Sequence, residues 1–235
     1  MAQQANSIEN CPFYHTMDIP GHGTVSGYWD LRGNVDPYLG RVALAGRSVL
    51  EIGPADGFLS LEMERRGARV VAVDVPANSR TDHFPVRPAP AQAPPNVEKE
   101  RNAFWLVHRA ARSSVELIES HIDDLEPAVA GFDIAFVGNV LQHLRNPIGA
   151  LINISDRANT IVVTQVDWTN GAYDDRPVIE LLTHDSARQY LVVVYRVTEA
   201  GRRCADAARI FDCRPGGSPS AFLVRPIRSR AACAA

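Results

Sequence analysis

Hydrophobic positions along this chain come in two textures. Short runs rich in Val, Ile and Leu occupy residues 49–52, 69–73, 115–119, 132–137 and 160–164. Runs of this length and composition predict strands, and strands apolar on both faces predict a sheet covered by helices on each side. Between the first two runs, Leu59, Leu61 and Met63 are set among Glu and Arg, which predicts an amphipathic helix stopped at Gly67. Residues 100–112 and 146–154 also predict helices, the latter with Pro147 in its first turn. Strand–helix–strand units are right-handed with parallel strands. The expected class is therefore α/β, with a doubly wound, mostly parallel sheet. Past Trp168 the pattern predicts a helix over 178–189, strands over 190–197 and 222–227, and a frayed tail.

Two stretches stand outside this alternation. Residues 76–100 are dense in proline, which forbids regular helix or central strand over most of their length and predicts a mobile insert after the second strand. Residues 1–46 hold the aromatic-, His- and Gly-rich segment PFYHTMDIPGHGTVSGYWDLR. They are expected to form an N-terminal cap over the carboxyl ends of the strands, within the same domain as residues 47–235. A length of 235 residues suits one such medium domain.

Composition narrows the function classes. Hydrophobic residues at 46% and charged ones at 22% exclude wholesale disorder. With 24 Lys and Arg against 27 Asp and Glu, the net charge of −3 supplies no global basic field for nucleic acid. No apolar run approaches the ~20 residues of a membrane helix, and the opening MAQQANSIEN lacks a signal-peptide pattern, so no membrane partner is expected. Cys11, Cys204, Cys213 and Cys233 are scattered without a C-x-x-C pair, which reads as reduced thiols in a cytoplasmic protein. His15, Asp18 and His22 match no zinc spacing, and no metal is expected.

In an open parallel sheet, ligands bind at the carboxyl ends of the strands. The turn after the first expected strand is Glu51-Ile52-Gly53-Pro54-Ala55-Asp56-Gly57. A dinucleotide fingerprint, G-x-G-x-x-G, fails at Ala55 and at Phe58. Asp74 ends the second strand about 20 residues after the loop, where a carboxylate can accept from both hydroxyls of a ribose. Tyr14, Tyr28 and Trp29 are aromatics suited to a cationic ligand. His143 and His15 are candidate bases, because histidine titrates near neutrality.

Glu51, Gly53, Ala55 and Gly57 resemble the E/D-x-G-x-G-x-G loop of class I S-adenosylmethionine (SAM) methyltransferases, with Ala55 in place of the middle glycine. Four further segments narrow the resemblance: Tyr14-His15-Thr16 to Ile19-Pro20, Gly27-Tyr28-Trp29-Asp30-Leu31-Arg32, Phe104-Trp105 with His108, and the block from Gly138 to Pro147. Across residues 13–150 the chain resembles the methyltransferases grouped with the tRNA wobble-uridine carboxymethyl- and methoxy-forming enzymes. That likeness implies a Rossmann-like fold with SAM as cofactor and S-adenosylhomocysteine (SAH) as product. It implies cofactor contacts from Tyr14, Trp29, Glu51, Gly53, Ala55, Gly57, Asp74, Val75, Ile122, Asp123 and Asn139, and catalytic roles for His143 and His15. The sequence departs from the family at Gln142, where members using carboxylated SAM carry an aromatic, and it shows no counterpart of the domain that grips tRNA.

Holding a polyanion takes a basic stripe, whereas a compact hydroxyl- or amine-bearing metabolite needs an apolar pocket with a few polar groups. The dispersed positive charge favours a small-molecule acceptor, such as a sugar or natural-product intermediate, over tRNA. The cap aromatics and the helix carrying Phe104 and Trp105 are its expected walls. A non-catalytic SAM- or SAH-binding protein is the rival from another class. The sequence carries nothing on oligomeric state.

Overall fold

The computed structural model describes residues 8–76, 96–165, 179–183, 191–195 and 220–224. Its centre is a six-stranded sheet built from β3 (Ser48–Ile52), β4 (Arg69–Asp74), β5 (Glu116–Glu119), β6 (Phe132–Gly138), β7 (Ala158–Gln165) and β10 (Ser220–Val224). The strand order is β10-β7-β6-β3-β4-β5. Strands β3 to β7 run parallel, and β10 lies antiparallel on β7, pairing Phe222 with Val163. The fold is Rossmann-like α/β, as the sequence predicts.

Alternation along each strand explains the layers. Val49, Val70, Ala72, Ile134, Phe136 and Val162 face a core shared with α2 (Phe58–Arg65), α3 (Asn96–Ala111) and the N-terminal segment. Their neighbours Leu50, Val71, Val73, Ala135, Val137 and Ile161 face a second core under α4 (Pro147–Ser155). Successive side chains of a strand point to opposite faces, so a sheet buried on both sides needs apolar residues at every position. Helix α2 ends in the paired bonds of a Schellman turn, Gly67 N–H to Glu64 and Ala68 N–H to Met63. Helix α4 starts with Pro147 at its first position, and the Asn146 side chain accepts from the Gly149 N–H at 2.9 Å.

The N-terminal segment forms a small hairpin, β1 (Met17–Ile19) against β2 (Gly23–Val25), and a one-turn helix α1 (Val35–Tyr38). Tyr38 packs its ring on Phe136, and its carbonyl accepts from the Thr164 hydroxyl at 2.6 Å. Through these contacts the segment lies on the sheet face at β6 and β7.

Three expectations change. Within the helix expected over 178–189, the described residues form a strand: β8 (Ile179–Thr183) and β9 (Leu191–Tyr195) make an antiparallel ribbon, with Leu181 opposite Val193, and 178 and 184–189 lie outside the described residues. β-Branched cross-strand neighbours favour the extended state, overriding a leucine spacing that also suits a helix. The insert expected over 76–100 ends earlier, because α3 begins at Asn96; residues 77–95 lie outside the described residues. The strand expected over 222–227 begins earlier, at Ser220, as β10 (Ser220–Val224); residues 225–227 lie outside the described residues.

Candidate active site

Reading outward from β3, the chain goes to β4 and β5 on one side and to β6 and β7 on the other. The order therefore reverses between β3 and β6, and their carboxyl ends frame the crevice where such sheets bind ligands. Three segments meet there: the loop after β3, the end of β4 and the end of β6.

The loop turns through left-handed backbone at Gly53 (φ +73°), Ala55 (φ +50°) and Gly57 (φ +83°). A side chain on Gly53 would place its Cβ 2.5 Å from Val140 Cγ2, and one on Gly57 2.9 Å from Phe104 Cδ2. Both glycines thus admit protein neighbours, Val140 from the segment after β6 and Phe104 from α3. Phe104 is buried in the core beneath the loop and is not a wall of an open pocket; Trp105 packs edge-on against it and against His108. Ala55 holds a conformation that costs a non-glycine residue energy, a kind of strain that clusters at functional sites.

Between these residues sits Asp56, fully buried. Its Oδ2 accepts the N–H groups of Tyr14 (2.8 Å) and His15 (2.7 Å), and its Oδ1 faces His15 Nδ1 at 2.8 Å and the Phe58 N–H at 3.3 Å. His15 is 4% exposed and stacks on Phe58. Its ring is therefore held on the loop's carboxylate. Asp56 carries no signal of this role in the sequence, since its partners lie about 40 residues upstream.

At the end of β6, Asn139 is left-handed (φ +55°), and its N–H donates to Thr164 O at 2.6 Å. Its side-chain amide donates to the Tyr14 hydroxyl at 3.0 Å, and Trp29 makes a second side-chain hydrogen bond to the same oxygen. Burial pushes the Tyr14 phenol above its ordinary pKa, partly offset by these two donors. The expected contacts Tyr14, Trp29 and Asn139 therefore meet in one cluster. Tyr28 stands beside it, 82% exposed, its ring centroid 6.3 Å from that of Tyr14. His143 is half-buried in the turn Leu141–His143, against which β9 lies. Ile122 is buried in the core under α4, its carbonyl accepting from Asn153 at 2.6 Å, while Asp123 is exposed on the same turn.

The acids at the ends of β3 and β4 are partnered differently. Glu51 is buried and bonded to the Ser60 hydroxyl, and burial pushes its carboxyl up to about 8. Asp74 accepts the Val75 N–H at 2.9 Å on Oδ1, and Arg101 Nη2 lies 3.2 Å from its Oδ2. Removal from water raises the Asp74 carboxyl above its usual range, outweighing the lowering by Arg101. Arg101 also donates to Val75 O at 2.9 Å. Beside it, burial and then the charges of Asp74 and Asp56 hold the Glu100 carboxyl at about 7. Arg101 and Glu100 were not foreseen, because the run Glu98-Lys99-Glu100-Arg101 has the look of a solvated helix start. Among the described residues, no three His, Cys, Asp or Glu side chains come together as a metal-binding group, and no helix is long and apolar enough to cross a membrane.

No protein-family model matches the chain, and no curated protein matches it in sequence. Solved structures do. The N-terminal domain of EvdMO1 with SAH bound is 18% identical, with 80% of this chain and 78% of that one covered and a TM-score of 0.51. The chain shares the Rossmann-like α/β fold of that SAH-bound domain. The same EvdMO1 domain in the presence of SAH and D-fucose is 20% identical over 74% of this chain and 66% of that one (TM-score 0.48). Coclaurine N-methyltransferase bound to N-methylheliamine and SAH is 20% identical over 57% and 35% (TM-score 0.42). The chain thus spans between 35% and 78% of the length of these structures.

Proposed function

We propose that this chain is a SAM-dependent methyltransferase acting on a small molecule. One observation carries the reading: the Gly53 N–H donates to Val73 O at 2.8 Å, which sets Asp74 directly beside the glycine loop at the reversal point of the sheet. A loop of tight left-handed turns and an acid on the neighbouring strand end are what a nucleoside with a ribose diol requires. The fold shared with the SAH-bound EvdMO1 domain supports the same assignment.

The residues present fit that cofactor. Asp74 offers a carboxylate for ribose hydroxyls, its Oδ1 accepting the Val75 N–H and its Oδ2 lying 3.2 Å from Arg101 Nη2. Gly53, Ala55 and Gly57 shape the loop, and Val75 continues past the acid. Ile122 and Asp123, on the turn after β5, are assigned to the base in this reading, and Glu51 lies beneath the loop. SAM supplies a methyl group already activated on a sulfonium. What the protein must add is alignment, from which effective molarities of about 10⁵ M or more are available.

Tyr14, Trp29 and Asn139 line the acceptor side in this reading. The Tyr14 oxygen accepts from both Asn139 and Trp29, so its own proton is left to donate outward. His143, half-buried just past Asn139, is the base assigned to a hydroxyl acceptor. His15 is assigned to holding the N-terminal segment on Asp56 rather than to proton transfer. The net charge of −3 and the pairing of Arg101 with acids favour a compact acceptor over a polyanion.

Incubation with methyl-labelled SAM and a panel of sugars, phenols and amines, beside bulk tRNA at physiological salt, tests the proposal. Label in a small molecule supports it. Label in tRNA alone reassigns the acceptor, and SAH affinity without any transfer makes the chain a binding protein.

A further inference from the structure

Arg101 carries an unspent hydrogen-bonding capacity at the cofactor site. Its side chain is 6% exposed, and Nη2 donates to Val75 O at 2.9 Å and pairs in charge with Asp74 Oδ2 at 3.2 Å. Nη1 is buried and, among the described residues, makes no hydrogen bond; its neighbour Glu119 Oε1, at 3.5 Å, contributes charge without hydrogen-bond contact. A buried guanidinium N–H without an acceptor is a costly and uncommon arrangement, since such groups in native proteins nearly always find a partner. Here the orphan sits on the same planar fork as the nitrogen that holds Asp74, the residue assigned to the ribose.

A hydroxyl group answers both needs at once. It donates one proton and accepts on two lone pairs, so a single ribose hydroxyl can donate to Asp74 and accept from the adjacent guanidinium. Arginine is suited to this because its fork is rigid and always charged, fixing donor and carboxylate in one plane. We propose that Arg101 is a second ribose-binding residue, its Nη1 donating to a hydroxyl oxygen of the cis-diol that Asp74 accepts from. The site then reads the diol as a unit. Because Arg101 also ties α3 to Val75, ligand binding and the seating of α3 on the end of β4 are coupled through this one side chain. The inference rests on the cofactor reading above.

Calorimetric titration of SAH and its 2′-deoxy and 3′-deoxy analogues into the wild type, Arg101→Met and Arg101→Lys tests it. For SAH, both variants are expected to bind roughly ten- to fifty-fold more weakly, the weight of one charge-assisted hydrogen bond. For whichever analogue lacks the accepting hydroxyl, wild type and variants are expected to bind alike. Arg101→Lys keeps a cation beside Asp74 and guards against a variant that fails to fold. An equal loss on all three ligands would overturn the proposal in favour of a purely structural arginine. Unchanged or tighter SAH binding by the variants would overturn it in favour of a side chain that occludes Asp74. A folded wild type that binds none of the three defeats the cofactor reading itself, and this proposal with it.

Discussion

His15 Nδ1 stands 2.8 Å from Asp56 Oδ1, with both side chains almost wholly out of water. The same carboxylate accepts the backbone N–H groups of Tyr14 and His15, so one acid in the loop after β3 holds the start of the N-terminal segment by three bonds. That places Tyr14 over the end of β6. The relationship makes His15 a part of the scaffold.

Asp56→Ala is expected to cost at least about 3 kcal/mol, because buried N–H groups left without an acceptor cost roughly 1–3 kcal/mol each. His15→Asn keeps a donor near the Nδ1 position and is expected to retain methyl transfer within a few-fold. Urea midpoints and turnover of the two variants check this. A hundredfold loss of kcat in a stable His15→Asn protein would instead mark the imidazole as the base.

A pH dependence follows from Glu51. Its carboxyl is held at about 8 by burial, against an ordinary 4.5, so the folded chain binds a proton that the unfolded chain has released. The unfolded state binds fewer protons between about pH 4.5 and 8, and stability from this group, full below that window, is lost as pH rises through it. Glu100, at about 7, acts in the same direction. Glu51→Gln is expected to flatten, without abolishing, the fall in urea midpoint between pH 5.5 and pH 8.5. Equal slopes for variant and wild type would show that Glu51 is ionised in the folded protein.

Much of this was legible in the sequence. The unit β3–α2–β4 announces itself because Val49–Leu50 and Val70–Val73 are apolar on both faces while the helix between them is interrupted by Glu and Arg, and Asp74 stands where the second strand must stop. Asp56 and Arg101 were not legible. Each is an ordinary charged residue whose role is set by partners that only the fold brings near, Tyr14 and His15 for the one, Asp74 and Val75 for the other. Phe104 was expected to line a pocket and is instead core, because Gly57 has no Cβ to meet its ring. The segment Ile179–Thr183, with Ile179, Leu181 and Leu182 apolar and Glu180 and Thr183 polar, fits helix and strand alike until its partner is known.

The loop glycines make a steric prediction. Gly53→Ala must adopt a left-handed backbone, at about 1–2 kcal/mol, and its Cβ would overlap Val140. Overpacking adds typically 1–3 kcal/mol. Gly21 has a similar φ of +79° with open space around it, so Gly21→Ala is expected to cost only the backbone part. Adding Val140→Ala to Gly53→Ala is expected to recover part of the loss, a non-additivity readable in a double-mutant cycle of denaturation midpoints. Strict additivity would mean that Val140 does not press on the loop.

Titration of SAH into the folded protein tests the central claim most directly. One-to-one binding is expected, weakened in Asp74→Asn by about 1.5–3 kcal/mol, because the lost hydrogen bonds involve a charged acceptor. A folded wild type that gives no binding heat and no rise in Tm with SAH, or an Asp74→Asn variant that binds as tightly as wild type, would contradict it.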